Sequence, residues 1–453
     1  MEVAHNFFTP TADFKRSQND FLPHAYHQGY GRRNSSQTAR FDLSLYGLGA
    51  DTLIGHAAMW NMRLGDQLSR LMQLAGYSKD SQAIHRAFFA ENVAPALGPC
   101  PDGTTTTPQW PSFMTDDHSP VEFSWAWSEK RAAPCARYSA EPIGWLAGSD
   151  ADPLNTKATI GLLGRTLPLA PNLDLYWYRH LLGALTTNTP TSSNHPLSQT
   201  FTAFDLEQDC MTVKYYFLPT HRALSLGKSN LELAEDAIKA LPSPCHTDKN
   251  GFEAPLRTVT SFIRSHPTRS QPTVEIVAVD CVDPALSRIK IYVRSMETSF
   301  DSVVHMLTLG GSLPPLTDQA QSSLEELWCA VFGVSDTSQE LSAKNHRTAG
   351  MLYYYELKAG GRVGSKVYLP VRHYGKSDDQ IARGLSGYLA KRGKGLDGGM
   401  SYHDGVAALC GSRAKLSRLG FHTYITCAVK GNDLNINAYF NPQVYCSSAS
   451  QTL

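Results

Sequence analysis

The sequence lacks an excess of charge of either sign: over 453 residues, 41 lysines and arginines balance 41 aspartates and glutamates. Nucleic-acid-binding proteins usually carry a basic excess, so this balance argues against that class. No stretch approaches the ~18–20 apolar residues that a membrane helix needs. The N-terminus has no basic region followed by an apolar run, as a signal peptide would. We therefore expect a cytoplasmic protein that binds neither nucleic acid nor a membrane.

Close cysteine pairs and metal-ligand spacings are also lacking. The nine cysteines are dispersed along the chain, and the 16 histidines show no spacing typical of a metal site. A dispersed, odd number of cysteines indicates reduced thiols in the cytosol rather than a disulfide framework or a zinc site.

Familiar catalytic signatures are absent as well. Residues 360–366 are glycine-rich but fail the P-loop pattern, since no Gly-Lys-Ser/Thr follows, and we interpret them as a hairpin turn. The acidic pairs at 116–117 and 378–379 do not form the Asp-Asp-x-x-Asp box that gathers Mg²⁺ around a diphosphate. No Gly-x-Ser-x-Gly signature of a serine hydrolase occurs.

The chain does contain five stretches with the period-2 alternation of a β-hairpin, recurring roughly every 70–80 residues. They cover residues 121–141, 204–219, 274–294, 351–371 and 421–442. Segments with helical spacing of apolar residues separate them, so the repeat is helix–helix–strand–strand. Plausible helix N-caps are Ser229, Ser299, Thr317, Ser377 and Asp404. We expect a loose arm over residues 1–45 and one domain over residues 46–453.

The predicted fold class is α+β, with ten antiparallel strands and helices covering the apolar strand faces. A closed ten-stranded barrel ringed by helices would leave no sheet edge exposed and would enclose room for a ligand. An open antiparallel sheet with one wet face fits the strand pattern equally well.

The polar face of these hairpins repeats the same residue types. Its cations are Arg137, Lys214, Arg288, Lys290, Lys366 and Lys430. Its tyrosines are Tyr216, Tyr292, Tyr368, Tyr424 and Tyr439. Clustered cations require a counter-anion, for which phosphate oxygens are suited, and tyrosine rings stabilise a carbocation. For any single residue, an ordinary solvent-exposed strand position is the competing interpretation.

Glu122 lies at the same phase as Ser124 and Ala126 on the first predicted strand. A carboxylate near apolar walls can accept a hydrogen bond from an aromatic N–H or O–H and act as a base. A structural salt bridge to Arg137 in the same hairpin is an equal alternative.

Several short motifs together resemble the fungal aromatic prenyltransferases of the dimethylallyltryptophan synthase type. The resemblance runs from about residue 54 to 445 and includes SPVEFS at 119–124, VKYYFLP at 213–219, RIKIYVR at 288–294, KVYLP at 366–370 and HTYI at 422–425. It implies the barrel of αα-ββ repeats and transfer of a dimethylallyl group from dimethylallyl diphosphate to an aromatic acceptor. It also implies that no metal or other cofactor is required.

The resemblance further implies roles for the polar residues. The six cations would hold the diphosphate, the five tyrosines would shield the allylic cation, and Glu122 would hold the indole N–H or phenol O–H of the acceptor. From spacing alone, Met351 is a candidate gate that limits the length of the prenyl chain, and a core-filling side chain is an equal alternative. Relatives that prenylate C4 of tryptophan place a lysine near the start of the second hairpin, where this chain has Thr200-Phe201-Thr202, which argues against that activity.

An indole acceptor, such as tryptophan or a tryptophan-containing cyclic dipeptide in alkaloid biosynthesis, is our leading expectation. A phenolic acceptor, such as tyrosine, a xanthone or another aromatic polyketide, is the alternative. A binding protein for phosphorylated ligands is a third reading, although binding alone would not need the tyrosines. The sequence leaves open whether the chain acts as a monomer or a homodimer.

Overall fold

The computed structural model of the protein describes residues 50–101, 107–129, 131–191, 195–243 and 251–445. The predicted arm over residues 1–45 lies outside these ranges. The ten strands are β1 Val121–Trp127, β2 Cys135–Ala140, β3 Thr200–Leu206, β4 Met211–Phe217, β5 Thr273–Asp280, β6 Ile289–Ser295, β7 Met351–Lys358, β8 Arg362–Leu369, β9 His422–Lys430 and β10 Asp433–Phe440.

The strands form one closed antiparallel barrel in which each strand pairs with its sequence neighbours and β1 pairs with β10. This closure confirms the barrel and rules out the open sheet. All five predicted hairpins are present. The second hairpin begins at Thr200 rather than at 204, because the Ser- and Thr-rich segment before it concealed the first residues of β3.

Helices surround the barrel. They are α1 Ala50–Trp60, α2 Asp66–Leu74, α3 Lys79–Phe88, α4 Lys157–Thr166, α5 Tyr176–Leu185, α6 Thr220–Ser225, α7 Asn230–Lys239, α8 Glu253–Ser265, α9 Phe300–Leu307, α10 Asp318–Phe332, α11 Val371–Tyr374, α12 Asp378–Ala390 and α13 Tyr402–Cys410. None of these helices is long and apolar enough to cross a membrane.

The outward faces of the strands form the core between barrel and helices. On β1, Phe123, Trp125 and Trp127 are buried, and the indole N–H of Trp125 donates to the carbonyl of Leu71 at 3.0 Å. Burying a side chain such as Phe123 contributes about 1.5–3 kcal/mol. This alternation fixes the register, because a slip by one residue would turn the apolar side chains into the lumen.

Four of the five predicted helix caps are confirmed. The side chains of Ser229, Ser299, Thr317 and Ser377 each accept a hydrogen bond from the first helical turn. The prediction for Asp404 is wrong: α13 starts two residues earlier, and Ser401 caps it by accepting from the backbone N–H of Asp404. Both residue types favour N-caps, and the sequence alone did not separate them.

A β-bulge interrupts the pairing of β9 with β10. Ala438 pairs with Ile425 and Phe440 with His422, so Thr423 and Tyr424 together oppose Tyr439. A bulge of this kind turns successive side chains toward the same face and bends the strand. It therefore brings two neighbouring residues of β9 to the lumen near the start of β1.

Candidate active site

The lumen contains one cluster of tyrosine rings. All five predicted tyrosines belong to it, and Tyr368 is central, with ring centroids 5.8 Å from Tyr292, 5.8 Å from Tyr424 and 5.7 Å from Tyr439. Tyr216 joins through Tyr292 at 5.9 Å. These separations are those of interacting aromatic pairs, so the rings form a continuous wall, which we call the tyrosine cage.

The tyrosine cage has a sixth member that the sequence analysis missed. Tyr354 on β7 lies 5.4 Å from Tyr292 and 6.2 Å from Tyr368. It stands in the middle of three consecutive tyrosines, so its phase could not be read from alternation. Its register with Lys366 on β8 and Tyr292 on β6 shows which of the three faces inward.

Below the tyrosine cage lies a charged floor in which the cations are already paired. Asp205 contacts both Arg137, at 3.3 Å, and Lys214. Asp280 contacts both Arg288 and Lys290, each at 2.6 Å. Glu356 adds a 2.8 Å contact with Arg288. Three carboxylates of the protein thus supply part of the counter-charge that the sequence analysis assigned to a ligand.

The sequence analysis did not include these carboxylates, because it considered only the cations and tyrosines of the polar faces. Pairing of adjacent strands places Asp205 beside Lys214, and Asp280 beside Lys290. Arg137 binds Asp205 of the adjacent strand, which excludes the predicted alternative of a salt bridge between Arg137 and Glu122. Five cations and three carboxylates leave an excess of two positive charges when all are ionised.

The electrostatics of the floor favour an incoming anion. Burial lowers the pKa of Lys290 to about 8, although Asp280 opposes the shift. Burial works against ionisation of Asp280 too, but Lys290 and its cationic neighbours hold the pKa of that carboxyl below its usual range. A phosphate group would further stabilise the charged form of Lys290, since an opposite charge close by raises a lysine pKa.

Lys366 differs from the other four cations of the floor because no carboxylate contacts it among the described residues. Its ammonium lies 5.5 Å from the ring centroid of Tyr368 and 5.8 Å from that of Tyr354. With the Asn437 amide oriented to accept, Lys366 Nζ lies 2.9 Å from its oxygen. Burial, followed by repulsion from Arg137, lowers the pKa of Lys366 well below its usual range. Lys366 therefore connects the floor with the tyrosine cage and lacks a counter-charge.

Two predicted residues do not join these clusters. Lys430 is exposed at the last residue of β9, and none of the described residues forms an ion pair with it. The predicted gate at Met351 does not fit the structure: Met351 alternates with Leu352, and Leu352 is the residue that packs in the lumen cluster. Apolar or aromatic side chains fill every position from 351 to 355, so the pattern could not show which face Met351 takes.

Glu122 lies near the other end of the lumen. Its Oε1 accepts a hydrogen bond of 2.6 Å from Oγ1 of Thr423, the residue presented by the bulge in β9. Burial raises the pKa of Glu122 to about 7, against the lowering effect of the Thr423 hydrogen bond. A carboxylate with this pKa can take a proton at neutral pH.

A segment before β1 closes over this end of the barrel. Buried Glu141 anchors it by accepting hydrogen bonds from Trp110 Nε1 at 2.8 Å, Ser112 Oγ at 2.6 Å and the backbone N–H of Phe113 at 3.0 Å. The ring of Phe113 stacks on Phe201 of β3. The anchored segment packs Phe113 and Met114 against the lumen cluster.

The rim beside this segment carries a second polar cluster, which we call the rim cluster: Asp116, His346, Arg372 and His373. Arg372 Nε lies 3.1 Å from Oδ2 of Asp116, and Arg372 Nη2 donates to the hydroxyl of Tyr424 at 3.1 Å. Ligand atoms of Asp116, His346 and His373 lie within 4.8 Å of one another, which is close enough for a metal ion. The guanidinium of Arg372 in their midst opposes a divalent cation, because it already neutralises Asp116 and repels positive charge.

Comparisons with known proteins agree with this architecture. Residues 56–404 match the tryptophan dimethylallyltransferase family. The chain is 53% identical over 396 residues to 4-O-dimethylallyl-L-tyrosine synthase of Claviceps purpurea, covering 86% of this chain and 88% of that protein. It is 31% identical over 437 residues to 7-dimethylallyltryptophan synthase of Aspergillus fumigatus, covering 90% of each.

The crystal structure of NotF in complex with brevianamide F and DMSPP has the same fold, with a TM-score of 0.74 at 22% identity, covering 89% of this chain and 98% of that one. The barrel, its repeats and these similarities over most of the length lead to one conclusion. The chain belongs to the tryptophan dimethylallyltransferase family and is an aromatic prenyltransferase.

Proposed function

We propose that this prenyltransferase transfers the dimethylallyl group of dimethylallyl diphosphate to the phenolic oxygen of L-tyrosine. The observation that carries the proposal is the 53% identity with a tyrosine O-prenylating enzyme, which extends over 86% of the chain. It favours the phenolic alternative over the indole acceptor that was our leading expectation. The absence of a lysine at residues 200–202 agrees with this choice.

The floor is the proposed diphosphate site. Arg137, Lys214 and Lys290 present charged donors from the alternate strands β2, β4 and β6, and Arg288 directly precedes β6. The planar fork of arginine suits phosphate oxygens. Lys366 lies between this floor and the tyrosine cage. It would contact the bridging side of the diphosphate and stabilise the negative charge that develops as the C–O bond breaks. Exposed Lys430 has no part in this proposal.

The tyrosine cage is the proposed environment of the allylic cation. Two of its rings, Tyr354 and Tyr368, face the ammonium of Lys366. Such π faces attract a cation. They also keep water away from a carbocation that water would otherwise trap. Because diphosphate binding alone would not need six tyrosine rings, the lumen favours a prenyltransferase over a simple diphosphate-binding protein.

Glu122 is the proposed base. As C1 of the dimethylallyl group leaves the diphosphate oxygen, the phenolic oxygen of tyrosine bonds to C1 and its proton passes to the Glu122 carboxylate. The diphosphate keeps the electron pair of the broken C–O bond, so charge and atoms balance. A pKa of about 7 allows Glu122 to accept the proton at neutral pH and to lose it to solvent afterwards.

Metal independence forms part of the proposal. The excess of two positive charges in the floor would offset much of the charge of a diphosphate without Mg²⁺, and the sequence has no Asp-Asp-x-x-Asp box. The candidate metal cluster at Asp116 lies at the rim with Arg372, and not in the floor.

An indole acceptor is the second candidate, favoured by the 31% identity with a tryptophan-prenylating enzyme over 90% of the chain. Glu122 can accept a hydrogen bond from an indole N–H as well as from a phenol. A direct competition separates the two. The protein is incubated with dimethylallyl diphosphate, L-tyrosine and L-tryptophan in EDTA, and products are identified by mass spectrometry and NMR.

We expect tyrosine carrying one additional C5H8 unit attached through oxygen, formed in the presence of EDTA. Prenyl tryptophan as the main product would establish the indole reading instead. Loss of product in EDTA, with recovery on adding Mg²⁺, would contradict metal independence but not the identity of the acceptor.

A further inference from the structure

The rim cluster has no role in the steps above, yet it is built around a buried guanidinium. The side chain of Arg372 is only 6% exposed, and its ion-pair partner Asp116 is 32% exposed. An arginine this deeply buried normally uses all its donors. Here Nε faces Asp116 and His373, Nη2 donates to Tyr424, and Nη1 donates to none of the residues that the structure describes.

We infer that the pair of Arg372 and Asp116 binds the α-amino and α-carboxylate groups of a free amino acid acceptor. The inference rests on the proposed function, which places such an acceptor in this lumen. Nη1 of Arg372 would donate to the substrate carboxylate, and the carboxylate of Asp116 would accept from the substrate ammonium. The rim would thereby select zwitterionic amino acids over uncharged aromatic compounds.

The position of Arg372 connects the rim with the proposed base. The guanidinium lies over the ring of Tyr424, 4.7 Å from its centroid, and donates to the same residue's hydroxyl. Tyr424 directly follows Thr423, whose hydroxyl donates to Glu122. An amino acid whose head group is held by Arg372 therefore has its side chain directed along the bulge toward Glu122.

Complementary charge is the second argument. No described residue donates a hydrogen bond to Asp116, so both of its oxygens remain available beside the ion pair. A zwitterion offers one donor group and one acceptor group at the same carbon, matching an arginine and a carboxylate in contact. A neutral acceptor would cover this pair without replacing its lost hydration, which is costly for charged groups.

The neighbouring histidine His373 adds no positive charge beside Arg372. His346 and His373 share the hydroxyl of Thr348, each at 2.8 Å. Burial, with repulsion from Arg372, lowers the pKa of His373 to about 4, so it is neutral at physiological pH. The cationic charge of the rim cluster thus resides on Arg372 alone.

The test measures how the protein's arginine and the substrate's carboxylate depend on each other. Steady-state kinetics with saturating dimethylallyl diphosphate compare L-tyrosine with tyramine, which lacks the carboxylate, in the wild type and in Arg372→Gln. We expect the variant to raise KM for L-tyrosine roughly 10- to 100-fold, the range for loss of a hydrogen bond between charged groups. KM for tyramine should stay within about twofold, because tyramine has nothing for Nη1 to bind.

A conservative variant and a matched control complete the design. Arg372→Lys keeps the charge without the planar fork and should give an intermediate KM for L-tyrosine. Arg383→Gln removes an exposed arginine from an ion pair with Asp379 on α12 and should change neither substrate's kinetics. The wild-type ratio of the two acceptors needs no variant and stands even if Arg372→Gln fails to fold.

Three outcomes would overturn the inference. The first is a wild-type enzyme that uses tyramine as efficiently as L-tyrosine. The second is equal loss of both activities in Arg372→Gln, which marks a structural role. The third is turnover of neither L-tyrosine nor L-tryptophan, which contradicts the proposed function as well. If only tryptophan reacts, the proposed acceptor is wrong, and tryptophan against tryptamine then tests the rim separately.

Discussion

The hydroxyl of Thr423 donates to Oε1 of Glu122 across 2.6 Å and connects two strands that do not pair with each other. Strand β10 lies between them, and the bulge in β9 makes the contact possible. The residue before Thr423 is held as firmly: His422 contacts Asp378 at 2.8 Å and Tyr402 at 2.8 Å. The proposed base is therefore oriented by a buried network outside the lumen.

Removing the base tests the role of Glu122. We expect Glu122→Gln to lower kcat/KM for the acceptor by about 10²–10⁴, the range for general base catalysis, while the donor KM changes little. In the wild type, kcat/KM should rise as the pH increases through about 7, because Glu122 acts in its ionised form. A pH–rate profile of both proteins checks this: Glu122→Gln should lack the acidic limb, and an unchanged limb would assign it to another group.

Removing the hydrogen bond to the base should shift that limb. Thr423→Val keeps the shape of a fully buried side chain but deletes its donor. Because the Thr423 hydrogen bond lowers the pKa of Glu122, its loss should raise that pKa above 7 and move the acidic limb to higher pH. A lower maximum rate with the limb in its original position would contradict this account.

Diphosphate binding should weaken at alkaline pH. The pKa of Lys290 in the free protein is lowered to about 8, and only its cationic form attracts a phosphate. Affinity for inorganic diphosphate, measured by calorimetry, should therefore fall as the pH rises above about 8, with proton uptake on binding. Lys290→Arg, which stays charged, should flatten this dependence. An equally steep decline in that variant would point to another group.

Removing a carboxylate from the floor should lower the thermal stability of the free protein and increase its stabilisation by bound diphosphate. Asp205→Asn leaves Arg137 and Lys214 without their shared counter-ion, which typically costs about 3–5 kcal/mol for a buried pair. We expect a lower Tm without ligand and a larger rise in Tm on adding diphosphate than the wild type shows. Equal ligand-induced shifts in both proteins, measured by calorimetry, would exclude the floor as the diphosphate site.

At the centre of the tyrosine cage, kcat should depend more on the ring of Tyr368 than on its hydroxyl. Tyr368→Phe keeps the π face and should retain most of kcat, whereas Tyr368→Leu should lose at least roughly tenfold, about the value of a desolvated cation–π contact. Diphosphate affinity should be similar in both variants. Equal activity of the Phe and Leu variants would show that the ring contributes only by filling space.

The barrel and its tyrosine faces could be predicted because both depend on the alternation of apolar and polar residues within each strand. Lys214 and Tyr216 alternate with apolar neighbours that must face the helices, so their phase is unambiguous. The phase of Met351 and Tyr354 could not be read, since every residue of that stretch can occupy either face. The bulge that presents Thr423 depends on unequal pairing between β9 and β10, which leaves no mark on one strand's pattern.

The partners of the cations were missed for a different reason. Asp205 lies nine residues from Lys214, and Asp280 lies ten residues from Lys290, each on the other arm of the same hairpin. Alternation indicates the face of each residue, but only the register of the paired strands shows which acid meets which base. The rim cluster likewise combines the segment before β1 with α11, which the sequence gives no reason to connect.

The three carboxylates of the floor also bear on how the enzyme parts with its product. A site lined only by cations would hold pyrophosphate tightly after each reaction, because its release would leave several buried positive charges without a counter-ion. In this floor, Asp205, Asp280 and Glu356 contact the cations when no ligand is bound. If the floor is the diphosphate site, a departing anion would leave behind cations that still have partners, so product release would not require a second protein or ion.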